Sequence, residues 1–408
     1  MIAQYMDIAL YAVAMVSILV IFVPFSPMTI DIVNLSRDTQ LNIYLKRHIL
    51  WAIGIICFAI LVGRGALGYA DQVWLWTALP SIGMLMFMFW SGYVPYVMSP
   101  PVDPQVLSIA EADKLIKPDE VVIGLVNGGD VRAYSRDTVA RPHFYADTVG
   151  GTPVTISYCI LCNSSMAFKT ELKGKPMDLS CVTAYNNNII YRDANSGNFI
   201  QQLDSKIIHG PDKGEELEFL PTIMATWEEW KQLHPDTKLY YAPAKTFRDK
   251  MVAVMLGMMI PIHKLAARSK PWHRVQGKLD TRLPAMSFVY GVEQNGDLCA
   301  YPTSFLKENP VYNDTVGGEP IVIFYDKARD IGAIYSRNID GSVLEFEQAS
   351  ADGVIAMDKQ TGSSWDLTGK ATDGNYAGQS LEGVPHYNKI FWFSWALFKD
   401  GTKVCKAT

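Results

Sequence analysis

Asp147-Thr148-Val149-Gly150-Gly151 recurs residue for residue as Asp314-Thr315-Val316-Gly317-Gly318, and the match extends outward from both copies. Upstream, Val122–Tyr158 (VIGLVNGGDVRAYSRDTVARPHFYADTVGGTPVTISY) aligns with Val289–Tyr325 (VYGVEQNGDLCAYPTSFLKENPVYNDTVGGEPIVIFY). Downstream, Asp193…Ser196-Gly197 faces Asp358…Thr361-Gly362, and Gly210…Gly214 faces Gly374…Gly378. Trp227…Trp230 then faces Trp392…Trp395, and Thr237-Lys238 faces Thr402-Lys403. Agreement this extended, kept in one order, reads as a tandem duplication with a first repeat at 101–245 and a second at 286–408.

Each copy reads as short strands between polar turns. Apolar residues alternate in Val121–Val126, Val154–Tyr158 and Ile321–Tyr325, the period of a half-buried strand. Asn127-Gly128-Gly129-Asp130 and Gln294-Asn295-Gly296-Asp297 suit hairpin turns. Gly150, Gly151, Gly317 and Gly318 read as turn glycines at positive φ, with Asp147 and Asp314 as their structural neighbours. One helix closes each copy, with Thr226 capping Trp227–Leu233 in the first. The expected domain is α+β and mainly antiparallel β, its two copies facing each other across a pseudo-two-fold.

The first hundred residues differ in kind. Three apolar runs, Ile8–Phe25, Ile49–Val62 and Val73–Met98, read as membrane spans, which need about 20 apolar residues each. Trp51, Trp74, Trp76, Trp90, Tyr93 and Tyr96 crowd the run ends, as at a lipid–water boundary. Met1–Asp7 has neither Lys nor Arg, so the first run is a poor signal peptide. Residues 1–100 are therefore expected to be a three-span helical region, ended by Pro100-Pro101-Val102-Asp103-Pro104. Arg37, Lys46 and Arg47 in the first loop place that loop, and with three spans the repeats, in the cytoplasm.

The whole chain of 408 residues is 49% hydrophobic and 19% charged with a net charge of −5, which excludes disordered, collagen-like and disulfide-scaffold classes. A mildly acidic balance also argues against a nucleic-acid partner, since phosphate binding needs a clustered basic surface. The basic part of the chain is the linker 246–285. Lys245–Arg282 carries nine Lys or Arg and two Asp around an apolar Met251–Ile262, too short to span. It reads as an interfacial helix on anionic lipid, with a buried core segment as the alternative. Met251, Met255, Met258, Met259 and His263 there also offer soft metal ligands, although Met is a common gap-filler.

The chemical signal is Tyr158-Cys159-Ile160-Leu161-Cys162. A Cys-x-x-Cys brings two sulfurs within reach of one metal ion or of each other. The second copy has Asp326 and Arg329 at the corresponding places, so the fold does not need the thiols. A structural disulfide or a pair of inert thiols is the alternative reading. A four-cysteine zinc site would have to recruit Cys181 or a His, and covalent c-type haem is excluded because Asn163 stands where its His is required. A thioredoxin-like motif would need a βαβ setting, and these surroundings are strands and turns. Candidate third ligands for copper or zinc are His143, Met166 and Cys181, with His209 a weaker one. Tyr158, the cluster Tyr185-Asn186-Asn187-Asn188, Asp193 and His209 are candidates for a pocket, and Asn is equally a turn former. No nucleophile elbow, phosphate loop, zincin or dinucleotide fingerprint occurs.

Both copies resemble a prokaryotic family of uncharacterised proteins, domain-of-unknown-function family 3179. Its pattern runs from Asn-Gly-x-x-x-Ala-Tyr through Asn-Asp-Thr-Val-Gly-Gly and Tyr-Cys-x-x-Cys to Asp-x-x-Thr-Gly-Ser. Here it appears as Gly128…Ala133-Tyr134, Ala146–Gly151, Tyr158–Cys162 and Asp193…Ser196-Gly197. The likeness covers 118–240 well and 286–404 less completely. Ile160 stands where Pro is frequent, and the second copy lacks both Cys. Some members place His shortly before the Asp-Thr-Val-Gly-Gly run, where His143 sits. The resemblance implies an export signal or a small set of spans in the prokaryotic plasma (inner) membrane. It also implies a domain facing outward, against the loop charges.

Two functions follow as expectations. One is a membrane-anchored protein handling thiol redox or a soft, copper-like metal at the Cys-x-x-Cys of the first repeat. The other is a non-catalytic accessory subunit or scaffold of a larger membrane complex, with Trp365, Phe391, Trp392 and Phe393 as exposed partner contacts. An enzyme acting on a small molecule between the copies is a third. Five cysteines lie outside the spans, an odd count that leaves one unpaired within the chain.

Overall fold

The computed structural model describes residues 2–27, 29–70, 72–98, 104–140, 142–243, 246–247, 249–251, 254, 258, 267–349 and 353–405. Its N-terminal part consists of α1 (Ile2–Phe22), α2 (Arg37–Ala66) and α3 (Gln72–Gly92). Ser36 caps α2 by accepting the Thr39 N–H at 3.3 Å. Among the described residues, Gln4–Phe25 and Arg37–Ala66 are long and apolar enough to cross a membrane. The two pack closely because α2 carries Gly54, where a Cβ would lie 2.8 Å from Ile18 Cγ1. Ile53, Ile56 and Ile60 point outward, leaving an apolar face that water does not favour. Arg64 lies inside α2 and bonds the buried Asp7 of α1 at 2.7 Å, closing one end of the pair.

The remainder is mainly antiparallel β. In the first half a five-stranded sheet runs Gln105–Leu107, Lys238–Tyr241, Asp130–Ser135, Val121–Asn127, Thr222–Thr226. A second sheet runs Phe219–Leu220, Ser164–Lys169, Thr152–Cys159, Phe144–Val149, and a third Lys206–His209, Phe199–Gln201, Asn188–Asp193, Leu179–Tyr185. The second half has Tyr387–Phe391, Phe288–Gln294, Asp297–Pro302, Lys403–Val404 in one sheet. Val311–Val316, Glu319–Asp326, Ile331–Ser336 form another, and Phe346–Gln348, Ala356–Asp358, Ser364–Trp365, Ala371–Asp373 a third. One parallel pair interrupts each half, Arg132 opposite Lys238 and Cys299 opposite Lys403. Alternation alone did not indicate it.

Local chemistry explains the repeated pentapeptide. Gly150 sits at φ 56°, and a Cβ there would collide with the Asn127 carbonyl; Gly317 at φ 58° meets Gln294 in the same way. Asn127 Nδ2 donates to Val149 O at 2.8 Å, and Gly150 N to Asp130 Oδ2 at 3.1 Å. Asp147 accepts Tyr134 Oη at 2.8 Å and its neighbour Thr148 N at 2.7 Å. Asp314 repeats both bonds, with Tyr301 at 2.8 Å and Thr315 N at 2.7 Å.

The halves bury each other's apolar faces reciprocally. α4 (Trp227–Leu233) and its sheet put Trp227, Trp230, Val122 and Leu239 into one cluster with Val322, Phe324 and Trp365. α5 (Trp392–Phe398) and its sheet put Trp392, Trp395, Val289 and Ile390 into another with Met166 and Leu203. Trp365, Phe391, Trp392 and Phe393, expected to be exposed partner contacts, are therefore buried. Their apolar surface is satisfied within the chain.

The helices dock on the sheet of Leu179–Tyr185. A register shift between Ile190 and Tyr191 lets Val182 and Thr183 both reach them. Val182, Ile190 and Phe199 join the helical core, and Thr183 Oγ1 donates to Pro24 O at 3.3 Å. The interfacial helix expected over Met251–Ile262 falls largely outside the described residues, as do Met255, Met259 and the adjacent His263. Within it, Met251 packs against the cluster that includes Ile189, Ile200 and Ile207, and Met258 is exposed.

Candidate functional site

Cys159 ends the Thr152–Cys159 strand, and Asn163 at φ 54° turns the chain into Ser164–Lys169. Asn is tolerated at that left-handed position. Its side chain fixes the loop twice, accepting Tyr158 Oη at 2.8 Å and donating to Lys389 O at 2.6 Å. Phe391 N donates to Cys162 O at 3.0 Å, so the thiol loop is clamped by the second half. Both thiols are free and fully buried. They lie in a cluster with Met286, Phe391, Phe393, Trp272 and Leu279, where the first half, the end of the linker and the second half meet.

The sulfurs face a buried polar network. Cys159 donates to Asn187 O at 3.3 Å, and Cys162 Sγ lies 3.0 Å from Ser164 Oγ and 3.4 Å from Asn188 Nδ2. The Asn188 amide has one orientation. Its oxygen accepts Gln201 Nε2 at 2.8 Å and Leu203 N at 3.0 Å, which turns both its N–H bonds toward Cys162 and Gln202 Oε1 (2.6 Å). Gln202 Nε2 donates to Ser157 Oγ at 2.7 Å, and Tyr191 Oη, beside Ser157, donates to His143 O at 3.1 Å. A donor aimed at a sulfur from such a frame costs nothing to reorient when charge appears there.

Burial pushes the Cys159 thiol well up, and its bond to Cys162 adds to that. Burial acts upward on Cys162 as well, but its hydrogen bonds with Cys159, Ser164 and Asn188 overcome it and bring the thiol below its ordinary range. Of the two, Cys162 is thus the more acidic thiol.

The other expected residues separate into distinct places. His143, at φ 77°, is buried, and its Nδ1 lies 3.0 Å from Tyr158 O, the geometry of a ring N–H donating to that carbonyl. Burial, against that bond, lowers its pKa to about 4. Met166 packs with Leu203, Tyr387 and Trp392, and Cys181 with Phe144 and Tyr191. Burial alone raises the Cys181 thiol. His209 is exposed, edge-on to Phe199. Asn186 and Asn187 form a left-handed turn at φ 48° and 63°. Asn186 bonds Gln276 N at 2.7 Å, and Asn187 bonds His273 N at 2.8 Å and His273 O at 3.0 Å. Asp193 caps its own turn through Asp178 N, Asn195 N and Ser196 N at 2.8, 3.1 and 3.1 Å.

Sequence reasoning missed Ser157, Ser164 and Gln202, all buried. Only Ser164 carries a signal, a polar residue in the phase of Met166 and Phe168 on its strand; Ser157 falls on the polar phase of Val154–Tyr158, and Gln202 lies just beyond Phe199–Gln201. At the corresponding place in the second half, Arg329 Nη1 pairs with Asp326 Oδ2 at 3.2 Å, an ion pair in the position of the thiols. Among the described residues, the ligand group of three or more that meets within 4.8 Å is elsewhere, at Cys299, Asp314 and Cys405.

Helices of membrane-spanning length ahead of a mainly antiparallel β domain with a buried dithiol define the class of protein. Within it, the model of the family described as "Protein of unknown function (DUF3179)" matches residues 93–402, and the chain belongs to that family. No curated protein and no solved structure matches it.

Proposed function

We propose that this chain is a membrane-anchored thiol-redox protein, a duplicated module behind three spans, in which Cys159 and Cys162 cycle between dithiol and disulfide. The observation that carries the reading is the donor held on Cys162, Asn188 Nδ2 at 3.4 Å, from an amide whose oxygen is fixed by Gln201 Nε2 and Leu203 N. A merely structural thiol does not need such a donor. Redox is favoured over metal capture at this motif because Met166 and Cys181 pack in other clusters and His143 Nδ1 is engaged by Tyr158 O.

The partner is a disulfide, small or on a protein. The Cys162 thiolate attacks one of its sulfurs and releases the other as a thiolate, which takes the Cys159 proton. Cys159 then attacks the Cys162 sulfur of the mixed disulfide and releases the second thiolate. The pair loses two electrons and the incoming disulfide gains them. Access requires movement of residues 272–279, held over the site by His273 and Gln276. The domain facing outward, as the family resemblance implies, would keep the pair in an oxidising compartment.

The test is equilibration of the full-length protein in mild detergent against glutathione buffers, with acid quench, alkylation and mass spectrometry of the Cys159–Cys162 peptide. A reversible two-electron transition, lost in Cys159→Ser, is the expected result. A pair fixed in one state across the whole range overturns the reading. Full burial of both sulfurs favours a second one, an accessory subunit with structural thiols. In that case a stable complex survives in Cys159→Ser/Cys162→Ser.

A further inference from the structure

A second sulfur cluster lies in the other half, outside the site just described. Cys299 on Asp297–Pro302, Asp314 on Val311–Val316 and Cys405 after Lys403–Val404 bring two sulfurs and a carboxylate oxygen within 4.8 Å of one another. All three cysteine and carboxylate groups are fixed by the backbone around them. Cys405 N donates to Ala300 O at 3.0 Å, and Asp314 keeps its bonds from Tyr301 Oη at 2.8 Å and Thr315 N at 2.7 Å. Both thiols are free. Cys299 is 6% exposed, while Asp314 and Cys405 are half-buried, so the cluster opens toward the surface.

The first half shows what this place requires. Arg132 occupies the position of Cys299, each lying opposite the corresponding lysine of its parallel strand, Lys238 or Lys403. Arg132 Nε stands 3.1 Å from Asp147 Oδ2 and neutralises that carboxylate. Asp314 is held by the same tyrosine bond and the same backbone bond as Asp147, but the arginine is replaced by a thiol and a second thiol has been added two residues after Lys403. A guanidinium cation has thus been exchanged for two cation ligands.

We propose that Cys299, Cys405 and Asp314 bind a divalent cation of borderline softness, zinc-like, which takes the place of the Arg132 guanidinium. Two thiolates with one carboxylate suit zinc, and the hard oxygen disfavours cuprous copper. Three protein ligands leave an open position for water or an exogenous ligand.

The probe is cobalt(II), added to the reduced full-length protein in mild detergent. Thiolate-to-cobalt charge-transfer absorbance saturating at one equivalent, displaced by zinc, is expected. The band should persist in Cys159→Ser/Cys162→Ser and vanish in Cys299→Ser, Cys405→Ala and Asp314→Asn. Cys299→Arg rebuilds the ion pair of the first half, so it should melt with the parent while binding no cobalt, separating loss of ligand from loss of fold. The proposal is overturned if the reduced protein gives no band, if the band survives in Cys299→Ser, or if it follows Cys159 and Cys162. Because the two sites share no residue, failure here leaves the redox reading standing, and the reverse holds too.

Discussion

Replacing Asn188 by Ala tests the Cys162 thiolate directly. Asn188 Nδ2 points one N–H at Cys162 Sγ (3.4 Å), and the amide cannot swap ends because its oxygen is held by Gln201 and Leu203. A hydrogen bond to a charged group contributes about 1.5–3 kcal/mol, and a long N–H···S contact belongs at the lower end. At about 1.4 kcal/mol per pKa unit, Asn188→Ala should raise the Cys162 pKa by roughly one unit. The same change leaves the buried Leu203 N without its acceptor, while Gln201 Nε2 keeps Ile189 O at 3.1 Å, so a loss of about 1–3 kcal/mol in stability should accompany it. Ultraviolet absorbance of the thiolate, taken as parent minus Cys162→Ser across a pH series, reads the titration without requiring a reagent to reach the buried sulfur. A midpoint that does not move in Asn188→Ala, or a parent Cys162 that titrates where an ordinary thiol does, would refute the argument that this network tunes the sulfur.

Three further outcomes follow. His143 has its pKa lowered from 6.5 to about 4 by burial, so between those values the unfolded chain binds more protons than the folded one. Stability should therefore fall by up to roughly 3 kcal/mol as pH drops through that window, and His143→Asn should flatten the slope of denaturant midpoints against pH. Asp31→Ala removes the bonds to His273 Nδ1 (2.9 Å) and Arg274 N (2.8 Å), so trypsin should cut between Arg268 and Lys278 faster than in the parent. Gly291→Ala would drive a Cβ into the Trp395 ring, where the tryptophan is fully buried and held by Thr402 Oγ1 at 2.9 Å. A loss of about 1–3 kcal/mol, read as a lower melting temperature, is expected for such overpacking, and an unchanged melt would mean that the ring moves aside.

The parts of this molecule that were legible in sequence are those whose chemistry is local. Asp147–Gly151 announces its turn because Gly150 and Gly151 both stand at positive φ directly after a strand. Cys159 and Cys162 announce themselves by spacing. What surrounds them does not, because Ser157, Ser164, Asn188 and Gln202 come from separate strands or the segments between them and meet only after two sheets have packed. Trp392 and Phe393 misled for a related reason. Apolar residues at the end of one half look unpartnered until the other half supplies the surface that covers them, here Met166 and Leu203 for Trp392 and the Cys159–Cys162 loop for Phe393. The parallel strands were equally invisible, since a strand of two or four residues carries no direction in its pattern.

The placement of sulfur in the two halves adds a constraint on where function resides. Where the first half has Cys159 and Cys162, the second has the Asp326–Arg329 ion pair; where the second has Cys299 and Cys405, the first has Arg132 paired with Asp147, and Tyr240. Each half folds with charge at one of these places and sulfur at the other. The frame is therefore indifferent to which of the two it carries. Tyr134 and Tyr301 bond their aspartates at the same 2.8 Å, and Trp230 and Trp395 bond their threonines at 2.8 and 2.9 Å, whatever stands nearby. A residue that packing does not require, yet that carries the reactive atom, is best explained by the reactivity itself. If the thiols were packing residues, an Asp–Arg pair grafted at 159 and 162 should leave the fold and every thiol-dependent property of the protein unchanged. If they are the site, the graft should keep the melting behaviour and abolish the redox transition, and that divergence between stability and chemistry is the observation on which the assignment turns.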